Sequence, residues 1–354
     1  MQFWQKPQEK LMINKFKTIS ICALASVLAV ADASALSRNI GPFNLAISGY
    51  GTAGIIEPNF KKPDFLGDFR VRGQLTYDFG GREHMLGAVY MLDEDAVHED
   101  NWWHEAFGFW QWRGVGRLEV GLTDSVAHKL GLGLPDVGGM RINHDSLVYR
   151  KMGTGGAVIA NPEITNGSDA LRVNLVAATN SRVQYGISVA GLNGDYDYEI
   201  DAGLKIKSSA NKTKYAFSFG ASFMEKPDDF STDEYTPGTT ADWRGQVYTG
   251  LNIQYNSWVF AMTGRVVYDE KPMGPVVDGL VAAAGLSYDI LNYTMSLSYV
   301  FSDTGIWHKD IENYDDHTVV ASFRYKYSKF IDGWTSIGMS RGEPFLAAGI
   351  RATF

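Results

Sequence analysis

Apolar and polar residues alternate along most of this chain. In the stretch from Tyr215 to Phe223, Tyr215, Phe217, Phe219, Ala221 and Phe223 fall on one face of an extended strand. Ala216, Ser218, Gly220 and Ser222 fall on the other. Sixteen segments of this kind recur, at 44–55, 68–79, 84–93, 105–113, 116–123, 169–179, 182–192, 198–207, 214–224, 244–255, 258–268, 279–290, 293–302, 317–327, 333–341 and 344–354. Each predicts a strand. Short turns at 80–82, 114–115, 180–181, 256–257, 291–292 and 328–329 alternate with longer connections at 56–67, 94–104, 124–168, 225–243, 269–278 and 303–316. Only 193–197 and the tip at Gly342 are short where a long connection is due. Tight turns at one end and long loops at the other predict an all-β, antiparallel transmembrane barrel of sixteen strands.

The two faces of these strands differ in chemistry. Phe69, Val71, Leu75, Tyr77 and Phe79 oppose Arg70, Arg72, Gln74, Thr76 and Asp78; Tyr293, Met295, Leu297 and Tyr299 oppose Thr294, Ser296 and Ser298. A charged face is no packed core, so it must line water, and the apolar face must meet lipid. Charges on a lipid face cost about 2–4 kcal/mol at the midplane, which explains their confinement to one side. A barrel of sixteen strands is too wide for side chains to fill, so an aqueous channel is expected. The chain ends on Leu346, Ala348, Ile350, Ala352 and Phe354, all on one face. Such a final strand is held if it pairs with the first and leaves no open edge.

Composition supports this picture. Before the first strand, 12–35 has Lys15 and Lys17, an apolar run, and Ala33-Ser34-Ala35. That pattern predicts a secretory signal peptide over residues 1–35, with Met12 as its start and the barrel domain over 36–354. The only cysteine, Cys22, leaves with it and has no convincing lipobox around it. The formal net charge is −8; without Lys6, Lys10, Lys15, Lys17, Glu9 and Asp32 it becomes −10, with 28 basic and 38 acidic residues. An acidic exported chain makes a poor nucleic-acid binder, so no nucleic-acid partner is expected. No apolar window after Ala35 is long enough for a membrane helix.

The connection 124–168 is far longer than its neighbours, a length that usually carries function. Its Leu130, Leu132, Leu134, Val137, Ile142, Leu147, Val148 and Tyr149 need burial, which packing on the inner wall would supply. It carries Asp124, Asp136, Asp145 and Glu163, while the polar strand faces carry Arg70, Arg72, Arg117, Arg172, Arg244, Arg265, Arg324, Lys326 and Arg351. Arg141, Arg150 and Lys151 in the same connection blur the sign of selectivity, and the acidic excess leans towards cations. The acidic runs 93–100, 226–234 and 309–316 read as solvated outer surface, with divalent-cation bridging to lipopolysaccharide as the alternative.

Other signals carry less. His144-Asp145-Ser146-Leu147 has the look of an esterase box, but no further spacing supports a triad. The histidines lack metal-ligand spacing, so no metal and no cofactor is expected. The glycine-rich stretches have no strand-then-helix context for phosphate, and the sequons at Asn166, Asn211 and Asn292 carry little weight.

Taken together, the signal peptide, the amphipathic strands, the long connection after the fifth strand and the terminal Phe354 make the chain resemble a Gram-negative general porin along nearly its whole length. That resemblance implies an outer-membrane homotrimer for passive diffusion of small hydrophilic solutes and ions, without enzyme activity. It implies that 124–168, the third long loop, folds inward and constricts the pore, with its acids facing the basic wall across the eyelet. It also implies that Phe354 belongs to a signal read by the barrel-assembly machinery, with outer-membrane lipid and lipopolysaccharide as surroundings. The rival expectation is a substrate-specific channel with a saturable site, which a ladder of lumen aromatics would favour. Most aromatics lie on the apolar face, although Trp110 and Trp112 alternate with Phe109 and leave that rival open.

Overall fold

The computed structural model describes residues 36–79, 83–95, 102–134, 170–180, 182–191, 198–225, 243–271, 274–303 and 315–354. The strands are β1 (Leu36–Ile40), β2 (Phe43–Pro58), β3 (Asp64–Asp78), β4 (His84–Asp95), β5 (Trp102–Trp112), β6 (Gly116–Leu122), β7 (Leu171–Asn180), β8 (Val183–Gly191) and β9 (Tyr198–Ala210). They continue with β10 (Thr213–Glu225), β11 (Trp243–Tyr255), β12 (Trp258–Lys271), β13 (Gly274–Ile290), β14 (Tyr293–Asp303), β15 (Asp315–Lys326), β16 (Ile331–Ser340) and β17 (Glu343–Thr353). One helix is described, α1 (Val126–Leu130), between β6 and β7.

From β2 to β17 each strand pairs antiparallel with the next, and β17 returns to β2, with Phe345 opposite Pro58 and Thr353 opposite Tyr50. The ring therefore closes on sixteen strands, and these match the sixteen alternating segments one for one. Closure satisfies every strand edge, which membrane-spanning backbone requires. The additional strand β1 pairs with the start of β2, Leu36 opposite Ile47 and Ile40 opposite Phe43, where β17 has ended. Phe354 exchanges backbone hydrogen bonds with Gly49, both at 2.9 Å. So β1 prolongs the line of β17 along the same edge of β2.

The expected loop at 269–278 is corrected. β12 runs on to Lys271 and β13 begins at Gly274, so the two strands form a long hairpin. A register shift between Val267 and Tyr268 breaks the alternation there, which is why period-2 reading stops short.

The two faces follow from curvature and chemistry. Side chains on the convex surface splay apart, and those on the concave surface converge. On β10, Phe217, Phe219 and Phe223 are exposed, while their alternates Ser218, Gly220 and Ser222 are buried. Aromatic pairs ring the short-turn end of the outer surface: Phe43 with Tyr77 at 5.1 Å, Trp110 with Trp112 at 4.4 Å, Trp258 with Tyr288 at 4.5 Å and Tyr293 with Tyr325 at 4.9 Å. Such a belt of exposed apolar surface is far larger than water tolerates on a monomer. Its amphipathic rim is the arrangement seen at membrane interfaces. Trp110 lies in this outer ring, and Phe109 faces inward and is buried.

The inner wall is not polar throughout, which corrects the expectation of a uniformly hydrated face. From β12 round to β3, inward positions carry Ala261, Val281, Ala283, Val300, Val320, Trp334, Phe345, Ala347, Ile56 and Leu66 in one buried cluster. Leu134, from the connection after β6, joins it.

Candidate functional site

The long connection after β6 begins inside the barrel. Four inward glycines on successive strands, Gly186, Gly203, Gly220 and Gly250, make a bare strip on the wall. Gly203 pairs with Gly186 on one side and Gly220 on the other. A Cβ on Gly203 would come within 2.8 Å of the Val126 carbonyl oxygen, one on Gly186 within 2.9 Å of Val126 Cγ1, and one on Gly250 within 2.9 Å of the Leu132 carbonyl oxygen. The strip is thus the seat of α1 and the residues that follow it. Val126, Ala127 and Leu130 are buried against it. Burying Val126 and Leu130 contributes about 1.5–3 kcal/mol each. Helix propensity adds little in five residues; the seat holds the helix, and the Ser125 side chain caps it by accepting from His128 N–H at 3.1 Å.

Polar contacts fix the same segment at three places. At its start, the Val126 N–H donates to Ser188 Oγ at 3.1 Å, and Ser188 donates in turn to Asp201 Oδ2 at 3.1 Å. Asp201 also accepts from Ser222 Oγ at 2.5 Å and from Arg172 Nη1 at 2.5 Å; Arg172 Nη2 reaches Glu199 at 3.2 Å. At its end, the Leu132 N–H donates to the Tyr248 hydroxyl at 2.5 Å, which is hydrogen-bonded to Ser218. Between them, Lys129 Nζ is ion-paired to Glu119 and donates to Thr123 Oγ1 at 2.6 Å. Asn174 Nδ2 ties Glu119, at 2.9 Å, to the Asp124 carbonyl oxygen, at 2.8 Å.

Beside this anchor, on β6 and β3, stand basic residues of the wall. Arg117 pairs with Glu119 at 2.9 Å, and its guanidinium lies 3.8 Å from the centre of the Phe109 ring. Arg72 donates to Gln74 at 3.2 Å, and Arg70 lies 6.0 Å from the centre of the Tyr50 ring. His128 approaches the Asp124 carboxylate at 3.6 Å. Burial pushes the Asp124 carboxyl up, but His128, Lys129, a hydrogen bond with Glu105 and Arg70 together hold it below the usual carboxylate range.

The remaining sequence candidates disperse. Arg324 donates to Thr294 at 3.0 Å, and Arg351 pairs with Asp332 at 3.0 Å, both on inward positions near the short turns. Lys326 is exposed on the same rim, and Arg265 faces inward opposite Tyr248 and Val281. Arg244 occupies an inward register position opposite Met224 and Asp269. Arg172 is corrected: it has no exposed surface and lines no water, because Asp201 and Glu199 clamp it in the wall behind α1. Asp136, Asp145 and Glu163 lie outside the described residues, as do the signal segment, Ser146 and the acidic runs at 226–234 and 309–314. The glycine strip and its carboxylates were missed in the sequence, although glycines at inward positions of four consecutive strands were the available signal.

No protein-family model and no curated protein sequence matches the chain. Solved structures do. The chain is similar to Salmonella typhi OmpF in complex with daunomycin, at 10% identity and a TM-score of 0.63, over 90% of this chain and all of that one. It is similar to the trimer form of OmpT, an outer-membrane protein of Vibrio cholerae, at 12% identity and 0.62, over 89% of this chain and all of the other. A porin refined at 1.8 Å resolution aligns at 11% identity and 0.61, over 88% of this chain and all of the other. At these identities the likeness carries the fold.

Proposed function

We propose that this chain, a barrel with the porin fold, is an outer-membrane porin of a Gram-negative bacterium. It lets small hydrophilic solutes and ions diffuse down their gradients through a water-filled channel and carries out no catalysis. One observation carries this reading: the stretch 123–134 is seated inside the lumen, against the glycine strip and beside Arg70 and Arg117. A loop so placed narrows a channel without sealing it, and the charges beside it select what passes. The rest of 124–168 would extend this constriction, with Asp136, Asp145 and Glu163 as its acidic side. A homotrimer is part of the proposal, supported by the trimer form of the similar OmpT structure. So are delivery by the signal peptide, lipid and lipopolysaccharide as surroundings, and Phe354 as an assembly signal.

Planar-bilayer recording of the purified protein tests the proposal. Stepwise conductance in groups of three, with current linear in solute concentration, is the expected result. Folded protein that never conducts would overturn it, and saturating solute flux would move the reading to a substrate-specific channel.

A further inference from the structure

The lumen beneath the seat of α1 has a chemistry of its own. Below the glycine strip, towards the short turns, the inward positions of β8 to β11 read Gln184, Lys205 and Ser218 on one level, then Lys207, Ala216 and Asn252, then Ser209, Lys214 and Gln254. Lys205 and Lys207 are two residues apart on β9, about 7 Å along a strand. Lys214 sits diagonally across the β9–β10 pair from Lys207, about 7–8 Å away. All three share the face of Gly203 and Gly220, which are covered by α1, so all three point into the lumen. Among the described residues no carboxylate occupies an inward position on this part of β8 to β11. The nearest on these strands, Glu199 and Asp201, lie at the other end of β9 and are held by Arg172. Lys207 and Lys214 are exposed and Lys205 is half-buried.

Three like charges gathered on one wall without a counter-charge repel one another, and a bound anion would relieve that repulsion. One carboxylate engages one ammonium. A phosphoryl group or a short polyphosphate presents several charged oxygens over the span of the triangle and engages all three. Lysine suits this task, as a compact point charge on a flexible stem. Gln184, Asn252 and Gln254 supply neutral amide donors at the edges. We propose that Lys205, Lys207 and Lys214 form a binding site for phosphate-bearing anions on the short-turn side of the constriction. The site rests on the channel reading for access by solute, but its occupancy is independent of conductance.

Calorimetric titration of the folded protein in neutral detergent with inorganic tripolyphosphate tests it, with bilayer recording run in parallel. Saturable binding is expected, weakened about tenfold or more, that is by about 1.4 kcal/mol, in Lys207→Gln/Lys214→Gln and abolished when Lys205→Gln is added. Lys329→Gln, which removes one charge at another short turn, should bind as the parent does. Folding of each variant is checked by a change in migration between unheated and heated samples that matches the parent's. The exposed double variant keeps the test valid if the triple variant fails to fold. Absence of binding, or equal binding by parent and double variant, overturns the site. Citrate binding as tightly as tripolyphosphate overturns its assignment to phosphate. Protein that binds but never conducts sinks the channel reading and leaves the site standing; protein that conducts without binding does the reverse.

Discussion

Arg172 sits between Asp201 and Glu199 with no exposed surface on any of the three. Removing the cation alone leaves two buried carboxylates uncompensated, a change that costs about 3–5 kcal/mol in comparable buried pairs. Arg172→Met should therefore lower the urea midpoint of the barrel markedly, while Arg172→Met with Glu199→Gln and Asp201→Asn should recover most of it. If the single and triple variants unfold at the same urea concentration, the clamp is not what holds this wall. Asp124 gives a second residue-scale outcome. Its depressed carboxyl contributes anchoring in full above the ordinary carboxylate pKa and loses it as pH falls through the lowered value. The hold on α1 should thus persist from neutral to mildly acid solution and fail only below about pH 4. His128→Ala removes the leading charge that lowers it and should move that loss to higher pH, read as protease cleavage within 128–134 across a pH series. In the sequence, alternation revealed that Arg172 faces inward. Its partners were not legible, because Glu199 and Asp201 come to it only through the register of β7, β8 and β9.

At the scale of elements, the strands were legible and the helix was not. Period-2 patterning reports a half-buried strand directly, so all sixteen barrel strands could be read. β1 escaped because Leu36–Ile40 is five residues long and lies beside the expected cleavage point. α1 escaped because its five residues carry no helical period and owe their shape to the wall beneath. That dependence can be measured. Gly203→Val puts side-chain atoms where the Val126 carbonyl now rests, its oxygen 2.8 Å from the Cβ position. Overpacking of this kind costs about 1–3 kcal/mol, and the helix rather than the strand should yield, since the β9 ladder is paired on both sides. The expected result is an intact, heat-resistant barrel with noisier and larger channel currents. An unchanged current trace would mean that α1 is held elsewhere. The adjoining hydrogen bonds at Ser188 and Tyr248 are what would then have to carry it.

The whole molecule divides its lumen by chemistry. One arc, from β12 to β3, packs apolar residues with Leu134; another carries Arg70, Arg72 and Arg117; a third holds α1 above three lysines. Solute passing the seated loop therefore meets Arg70, Arg72 and Arg117 beside the anchored Asp124 and Glu119, a cluster of neighbouring opposite charges rather than a single sign. Overall net charge, −8 for the full chain, says little about such a channel, because ions respond to charges near their path. Two cations about 8 Å from that path, at the dielectric of water, together favour an anion and disfavour a cation by about 1 kcal/mol, about fivefold for either ion and so about thirtyfold in the unscreened anion-to-cation permeability ratio. Replacing Arg70 and Arg72 by serine should shift the reversal potential under a salt gradient towards cations by that factor. The same substitution should leave tripolyphosphate binding unchanged, because the lysines lie below α1. A reversal potential that stays put would place the selective step away from β3, at the lysine triangle, and the Lys207→Gln/Lys214→Gln channel would then be the one to shift. The two variants separate a filter at the loop from a filter beneath it.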